Sequence, residues 1–137
     1  MYLLDTNIWL ERLLGQENFE DVGKLLGRIP PDQIFLTDFS FHSICIVLLR
    51  YNQAGALLDF IDDIVIEGQV TLLTCPPEQI ALVVDVIETL GLDFDDGYQY
   101  VIAEQNNLVI VSLDRDFDRT PLGRKTPAEI LAETNQA

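Results

Sequence analysis

The chain has 137 residues, of which 48% are hydrophobic, and it carries few glycines and prolines. This length fits one domain with a substantial core, and this composition excludes a disordered or low-complexity protein. The formal net charge is -15 at pH 7, from 23 acidic and 8 basic residues. Such a balance argues against nucleic-acid binding that is driven by charge alone. We expect a single domain over residues 1–137.

The sequence shows neither a targeting segment nor a membrane span. The first ten residues have no basic region before Asp5, and the longest apolar run, ICIVLL at 44–49, is far shorter than a bilayer requires. Cys45 and Cys75 are far apart and lie in apolar surroundings, which favours buried thiols over a disulfide or a metal site. We expect a cytoplasmic protein that makes no contact with a membrane.

Short apolar strands alternate with helical patterns along the chain, which predicts an α/β fold. Strands are predicted over 2–5, 33–37, 69–74 and 108–112. Helices are predicted from Asn7, over 19–28, 40–51, 57–64, 77–90 and 94–107, and from a capping box of Thr126 and Glu129. We expect a three-layer α/β/α sandwich around a mostly parallel sheet of four to five strands.

The opening stretch MYLLDTNIWL changes from a strand pattern to a helical pattern at Asp5. One interpretation is a helix start and nothing more, because Asp, Thr and Asn all cap helices. A single cap is enough, however, and Thr6 or Asn7 is better placed for it. Asp5 is then left at the carboxyl end of the first strand, where open α/β sheets bind ligands.

Further acidic residues occupy equivalent places in the predicted fold. The acids at strand ends or at the start of the last long helix are Asp5, Asp38, Asp93, Asp95, Asp96, Asp114 and Asp116. Because parallel strands end at one edge of the sheet, we expect Asp5, Asp38 and Asp114 to converge there, with Asp95 or Asp96 beside them. The alternative for each acid is a helix cap or a solvated turn.

Clustered carboxylates repel one another and resist desolvation, so a cation should occupy such a site. Oxygen ligands suit Mg²⁺ or Mn²⁺, and the chain offers no His/Cys cluster of the kind that binds zinc. Two carboxylate-held Mg²⁺ ions about 4 Å apart promote in-line attack of water on a phosphodiester. The basic segment RDFDRTPLGRK makes Arg115 and Arg119 candidates for phosphate contacts, and its alternative is a solvated loop with local ion pairs.

Two stretches resemble the PIN-domain nucleases, especially the small stand-alone prokaryotic proteins that include VapC-type toxins. YLLDTNIWL is similar to the opening motif of the family, and LDFDDGYQYVIAEQNNLVIVSLDRDF is similar to its closing pair of acidic motifs. The resemblance implies that Asp5, Asp96 and Asp114 bind Mg²⁺ or Mn²⁺. It places Asp116 as an auxiliary catalytic acid and Ser112 at a position usually held by Thr or Ser. It also implies an endoribonuclease, often a homodimer and often inhibited by a protein antitoxin.

One position departs from the family pattern. The helix after the second strand usually carries a Glu one to two turns in, whereas TDFSFHSICIVLLR contains none. Ser43 occupies the aligned position, and Asp38 is a candidate to compensate from the strand end. The missing Glu and the acidic charge favour an alternative function, a catalytically weakened PIN-fold module for binding or regulation.

Other interpretations fit the sequence less well. A phosphatase of the haloacid dehalogenase type needs a second Asp where Asn7 stands, and a receiver domain needs paired acids after the first strand and a late Lys. We interpret the single histidine, His42, as a half-buried packing residue rather than an acid/base group. Trp9 and Phe41 are interpreted as core aromatics rather than base-stacking platforms.

Overall fold

A parallel sheet of four strands forms the centre of the computed structural model, which describes residues 1–135. Residues 136–137 of the predicted domain lie outside the described residues. The strands are β1 (Tyr2–Leu4), β2 (Ile34–Thr37), β3 (Thr71–Leu73) and β4 (Val109–Val111). Their order across the sheet is β3-β2-β1-β4, and every neighbouring pair is parallel. The predicted parallel α/β fold is confirmed, with each strand slightly shorter than expected.

Within residues 1–135, seven α-helices cover the two faces of this sheet. They are α1 (Thr6–Leu13), α2 (Phe19–Arg28), α3 (Asp38–Arg50), α4 (Ala54–Phe60), α5 (Ile80–Leu90), α6 (Phe94–Gln105) and α7 (Pro127–Asn135). A π-helical segment, Ile61–Ile66, continues α4, and 3₁₀ turns occur at Pro31–Gln33, Pro77–Gln79 and Arg115–Arg119.

Alternate residues of the strands face the two helical layers, which makes the three-layer sandwich. On β1, Leu4 packs in one core beside Trp9, and Leu3 packs in the other core beside Tyr100. The first core lies under α1 to α4 and the second under α5 and α6. Trp9 is 1% exposed and Phe41 packs against the first core, so their interpretation as core aromatics is confirmed.

Several helices begin a few residues away from their predicted starts, and α3 is one of the two that affect the site. This helix begins at Asp38 rather than at 40, because the Thr37 side chain accepts the backbone N–H of Ser40 at 3.0 Å and acts as the cap. The interpretation of His42 as half-buried is also wrong, since this side chain is exposed. Its position lies away from the buried side of α3, which carries Ile44 and Leu48.

Two other helix starts also differ from the prediction. The helix expected from 57 begins at Ala54. The helix expected from Pro77 starts as a 3₁₀ turn and becomes α-helical at Ile80. Its predicted end is confirmed, because Gly91 has the left-handed φ of 68° that glycine adopts without strain.

A close approach of α5 and α6 sets the position of the first turn of α6. A Cβ added at Gly97 would lie 2.7 Å from Ile87 Cγ1 of α5, so only glycine fits at this crossing without a shift. Gly97 directly follows Asp96, so this crossing helps to fix the position of the helical turn that carries that acid. Elsewhere, Cys45 and Cys75 are both free thiols, and no helix of residues 1–135 is long and apolar enough to cross a membrane.

Candidate metal centre

Asp5 lies at the carboxyl end of β1, and its side chain is only 6% exposed. Its Oδ1 accepts the backbone N–H of Thr6 at 2.7 Å, which makes Asp5 the N-cap of α1. The expectation that Thr6 or Asn7 caps this helix is therefore wrong. The helix begins one residue earlier than predicted, so Asp5 is the residue at the junction of strand and helix. Asp5 is thus both a cap and a lining residue of a cleft.

Gln99 completes the environment of Asp5 and was not predicted from the sequence. It projects from α6 and is 2% exposed. Its Nε2 donates to Asp5 Oδ1 at 2.7 Å, and its Oε1 accepts from Ser40 Oγ at 3.5 Å. Ser40 Oγ in turn accepts from Thr6 Oγ1 at 2.9 Å. A sequence signal existed, because Gln99 follows Asp96 by three positions and shares its helix face.

Ser112 joins Asp5 to the turn that carries Asp114. The Ser112 side chain is fully buried, and its Oγ donates to Asp5 Oδ2 at 2.7 Å while accepting the backbone N–H of Asp114 at 2.9 Å. Asn7 adds a further link, since its Nδ2 lies 3.3 Å from Ser112 Oγ and its Oδ1 accepts the backbone N–H of Leu113 at 3.2 Å. The ends of β1 and β4 are therefore tied together.

Asp96 lies in the first turn of α6 and is 6% exposed. Asp93 caps the helix by accepting the backbone N–H of Asp96 at 3.2 Å. Burial is the main reason that the pKa of Asp96 is raised to about 7, and the charges of Asp93, Asp114 and Asp5 add to the rise. Burial also raises the pKa of Asp5, against the opposing hydrogen bonds from Gln99, Ser112 and Thr6. Both carboxyls therefore lie where a positive charge would stabilise the ionised form.

The acids after β4 approach Asp96 from the other side of the cleft. Asp114 caps the following 3₁₀ turn by accepting the backbone N–H of Asp116 at 2.8 Å. One carboxylate oxygen from each of Asp96, Asp114 and Asp116 lies within 4.8 Å of the other two. Asp5 is not part of this tightest group, but it lines the same cleft as Asp96 and Asp114.

A cleft of about 330 Å³ brings together Asp5, Asp96 and Asp114, the three predicted metal ligands, with Ser43. Its lining residues are Asp5, Thr6, Asn7, Leu10, Phe39, Ser43, Asp93, Asp95, Asp96, Gln99 and Asp114. Ser43 therefore faces the acids. Asp38 is the exception to the expected convergence, because its Oδ1 accepts from Tyr98 Oη at 2.8 Å and it is not among these lining residues. It does not take the place of the missing Glu.

The basic segment after β4 is largely engaged in local ion pairs. These are Arg119–Asp116 at 3.8 Å, Arg124–Asp118 at 2.9 Å and Lys125–Glu133 at 2.6 Å. Arg119 also donates to the Gly91 carbonyl at 2.7 Å, in the loop that leads into α6. Arg115 is exposed and makes no salt bridge with a carboxylate of residues 1–135. Local ion pairs thus account for Arg124 and Lys125, and they also engage Arg119 through a longer contact that is exposed on both sides.

The donor set of the cleft fits a hard divalent cation. Its charged groups are carboxylates, and no Lys or Arg of the described chain is among its lining residues. Asp96, Asp114 and Asp116 offer oxygens at a mutual spacing that one ion can bridge. Carboxylate oxygens suit Mg²⁺ and Mn²⁺, whereas the nitrogen and sulfur ligands typical of zinc are missing from the lining.

Several solved structures share this fold. The chain is similar to a toxin-antitoxin complex from Klebsiella pneumoniae, with 18% identity, 93% of this chain and 98% of that chain covered, and a TM-score of 0.74. It is similar to VapC20 of Mycobacterium tuberculosis, a sarcin-ricin loop cleaving toxin, with 13% identity, coverages of 88% and 95%, and a TM-score of 0.76. For FitAcB from Neisseria gonorrhoeae the identity is 22%, the coverages are 93% and 99%, and the TM-score is 0.68.

No curated protein matches the chain significantly. The family model of the PIN domain matches residues 2–122, a range that contains all four strands, the cleft and the 3₁₀ turn after β4. The chain belongs to the PIN domain family.

Proposed function

We propose that this protein is a Mg²⁺- or Mn²⁺-dependent endoribonuclease that hydrolyses phosphodiester bonds. The observation that carries the proposal is the cleft in which Asp5, Asp96 and Asp114 meet without a compensating Lys or Arg of the described chain. Membership of the PIN domain family supports it. The shared fold of a sarcin-ricin loop cleaving toxin supports RNA as the substrate.

The side chains of the site divide into ligands and residues that hold the ligands in place. Asp5, Asp96 and Asp114 are the proposed metal ligands, and Asp116 is the auxiliary acid next to them. A bound divalent ion would neutralise charge on the scissile phosphate and make the attacking water more acidic. Ser112 fixes one oxygen of Asp5 through its 2.7 Å hydrogen bond, so this carboxylate is oriented before any ion binds.

Two cations near the cleft are proposed to contact the RNA backbone. Arg115 directly follows Asp114, is exposed and is not engaged by a carboxylate of the described residues. The side chain of Arg119 donates to the Gly91 carbonyl, which lies in the loop before α6. Guanidinium groups at this edge would bind phosphates on either side of the scissile bond.

Paired binding and cleavage assays on the parent and on Asp114→Asn test this function. We expect the parent to cleave single-stranded RNA with Mn²⁺ and to lose activity with a chelator. Asp114→Asn should bind Mn²⁺ at least about tenfold more weakly in calorimetry, because it lacks one ligand. Asp85→Asn is the matched control, since Asp85 is exposed on α5 outside the cleft. Parental Mn²⁺ affinity in both Asp5→Asn and Asp114→Asn would show that the site is elsewhere.

A second candidate function is a PIN-fold module with weakened catalysis, which serves in binding or regulation. Ser43 favours it, because a neutral hydroxyl lines the cleft at the position where the resemblance leads us to expect a Glu, and Asp38 is turned toward Tyr98. A site with one negative charge fewer would hold a second ion poorly. Crystals soaked in Mn²⁺ separate the two functions: density at Asp5, Asp96 and Asp114 favours the nuclease, and its absence at millimolar metal favours the module.

Protein partners form the last part of the proposal. We propose an antitoxin as the physiological inhibitor, supported by the fold shared with a toxin-antitoxin complex. We also propose a cytoplasmic location, where such a pair would act on RNA.

A homodimer is supported by apolar side chains on the outer faces of α3 and α4. Ile46, Leu49 and Leu58 are 52%, 55% and 61% exposed, and neighbouring exposed apolar residues commonly mark an interface.

A further inference from the structure

Three aromatic rings pack together beside the acidic cleft. The ring centroids of Phe39 and Tyr98 are 5.8 Å apart, those of Phe94 and Tyr98 are 5.8 Å apart, and those of Phe39 and Phe94 are 6.0 Å apart. Tyr98 is 7% exposed and Phe39 is partly buried, whereas Phe94 is 44% exposed. Phe94 is therefore supported by two inner rings while much of its own surface faces solvent.

This aromatic cluster is continuous with the cleft. Phe94 is the first residue of α6, and its neighbours Asp93 and Asp95 both line the cleft, as does Phe39. The inner rings are held in place, because Tyr98 Oη donates to Asp38 and accepts the backbone N–H of Cys75 at 3.0 Å. The hydrogen bond from Tyr98 to Asp38 therefore has two effects. It turns Asp38 away from the acids of the cleft, and it helps to fix the ring on which Phe94 packs.

The charge of the protein makes such a surface useful for binding RNA. At a net charge of -15, long-range electrostatics oppose the approach of a polyanion, so contacts other than phosphate ion pairs must contribute to affinity. Stacking of a base on an aromatic ring is such a contact, and it tolerates any base because every base has a π-face. Arg119, held on the Gly91 carbonyl three residues before Phe94, would bind an adjacent phosphate.

We propose that Phe94 is a stacking platform for an unpaired nucleobase of single-stranded RNA that runs through the acidic cleft. The inference rests on the proposed ribonuclease function and adds to it a residue outside the metal site that binds the substrate through a base. The rigid support matters because a preorganised ring loses little conformational freedom when the base binds.

RNA binding by substituted proteins tests the platform. The probe is a short fluorescent single-stranded oligoribonucleotide, titrated with Ca²⁺ in place of Mn²⁺ so that turnover is slow, and read by anisotropy. We expect Phe94→Ala and Phe94→Leu to bind at least about fivefold more weakly, and Phe94→Tyr to stay within about twofold of the parent. Leu82→Ala is the matched control, because Leu82 is also 44% exposed but lies on α5, where neither it nor its neighbours in the chain line the cleft.

A single abasic nucleotide, moved along the oligoribonucleotide, distinguishes stacking from a structural role of Phe94. At one position, the abasic nucleotide should weaken RNA binding by the parent as much as Phe94→Ala weakens binding of the intact oligoribonucleotide. The parent and Phe94→Ala should bind that abasic oligoribonucleotide with equal affinity. Circular dichroism and sedimentation of each variant report folding and assembly.

Three results would overturn the platform. If the parent binds and cleaves RNA while Phe94→Ala and Phe94→Leu bind like the parent, the proposed function stands and the platform is wrong. If the parent neither binds nor cleaves RNA, both are wrong. If Phe94→Ala loses RNA binding together with its oligomeric state, Phe94 belongs to a protein interface instead.

Discussion

Replacing Asp96 by Asn should stabilise the metal-free protein at high pH. The pKa of Asp96 is raised from 3.8 to about 7 in the folded state, chiefly by burial and then by the neighbouring acids Asp93, Asp114 and Asp5. The folded state binds the proton of Asp96 more tightly than the unfolded state does, so protonation of this carboxyl stabilises the folded protein. This stabilisation is complete below about pH 3.8 and is lost as the pH rises through about 7. Near neutral pH and above, the ionised Asp96 therefore lowers the free energy of unfolding.

The size of the effect follows from this pKa. A rise from 3.8 to about 7 corresponds to a ceiling of roughly 4 kcal/mol above neutral pH. Water in the open cleft screens the neighbouring charges, so we expect Asp96→Asn to raise the free energy of unfolding by about 1 to 3 kcal/mol near pH 8. The amide matches a protonated carboxyl in shape, and near pH 4 the two proteins should differ by less than about 0.5 kcal/mol.

Urea denaturation at both pH values, with a chelator present, measures the difference. Asp85→Asn serves as the control, because it removes one exposed carboxylate from α5 without touching the cleft. Addition of Mn²⁺ near pH 8 should then stabilise the parent more than Asp96→Asn, since only the parent keeps the full ligand set. The reasoning is refuted if Asp96→Asn destabilises the protein equally at both pH values, or if the parent becomes more stable as the pH rises from about 5 to about 8.

Three further predictions concern the site and the surface. Ser43→Glu introduces the acid that the resemblance to the family leads us to expect at this position, and it should raise Mn²⁺ affinity and the rate of RNA cleavage in paired titrations; unchanged values in a folded variant would show that Ser43 does not act on the site. Gln99→Leu removes the donor to Asp5, so it should cost about 1 to 2 kcal/mol in urea denaturation and also weaken Mn²⁺ binding; a loss of stability with parental Mn²⁺ affinity would limit Gln99 to a structural role. Sedimentation at high concentration should show a dimer that Ile46→Glu dissociates, and a parent that is monomeric throughout would contradict this interface.

Local signals were enough to predict most of the secondary structure. The capping box at Thr126 and Glu129 begins α7, with the two residues exchanging hydrogen bonds of 3.2 Å. Gly91 ends α5 as predicted. These features depend on groups a few positions apart, so the sequence around them contains the necessary information. Helix starts were less certain where two adjacent residues both had capping side chains, as at Asp5 and Thr6.

The acidic edge could be predicted because one geometric rule relates distant residues. Parallel strands end at the same side of a sheet, so knowing that Asp5 follows β1 and Asp114 follows β4 is sufficient to bring them near each other. The rule says nothing about side-chain direction. Asp38 also follows a strand, yet Tyr98 from α6 binds its carboxylate, and this contact between residues 60 positions apart depends on how α3 packs against α6.

The sequence by itself determined the order of elements, the parallel sheet and the edge at which acids collect, because these follow from periodicity, caps and the geometry of strands. Only the tertiary structure decided which polar groups hold Asp5. Gln99 and Ser112 reach it from positions 94 and 107 residues away, and no local pattern encodes such a contact. Packing also decided that Ser43 faces the cleft and that Phe94 remains exposed beside it, because the exposure of a side chain depends on which neighbours the whole fold places around it.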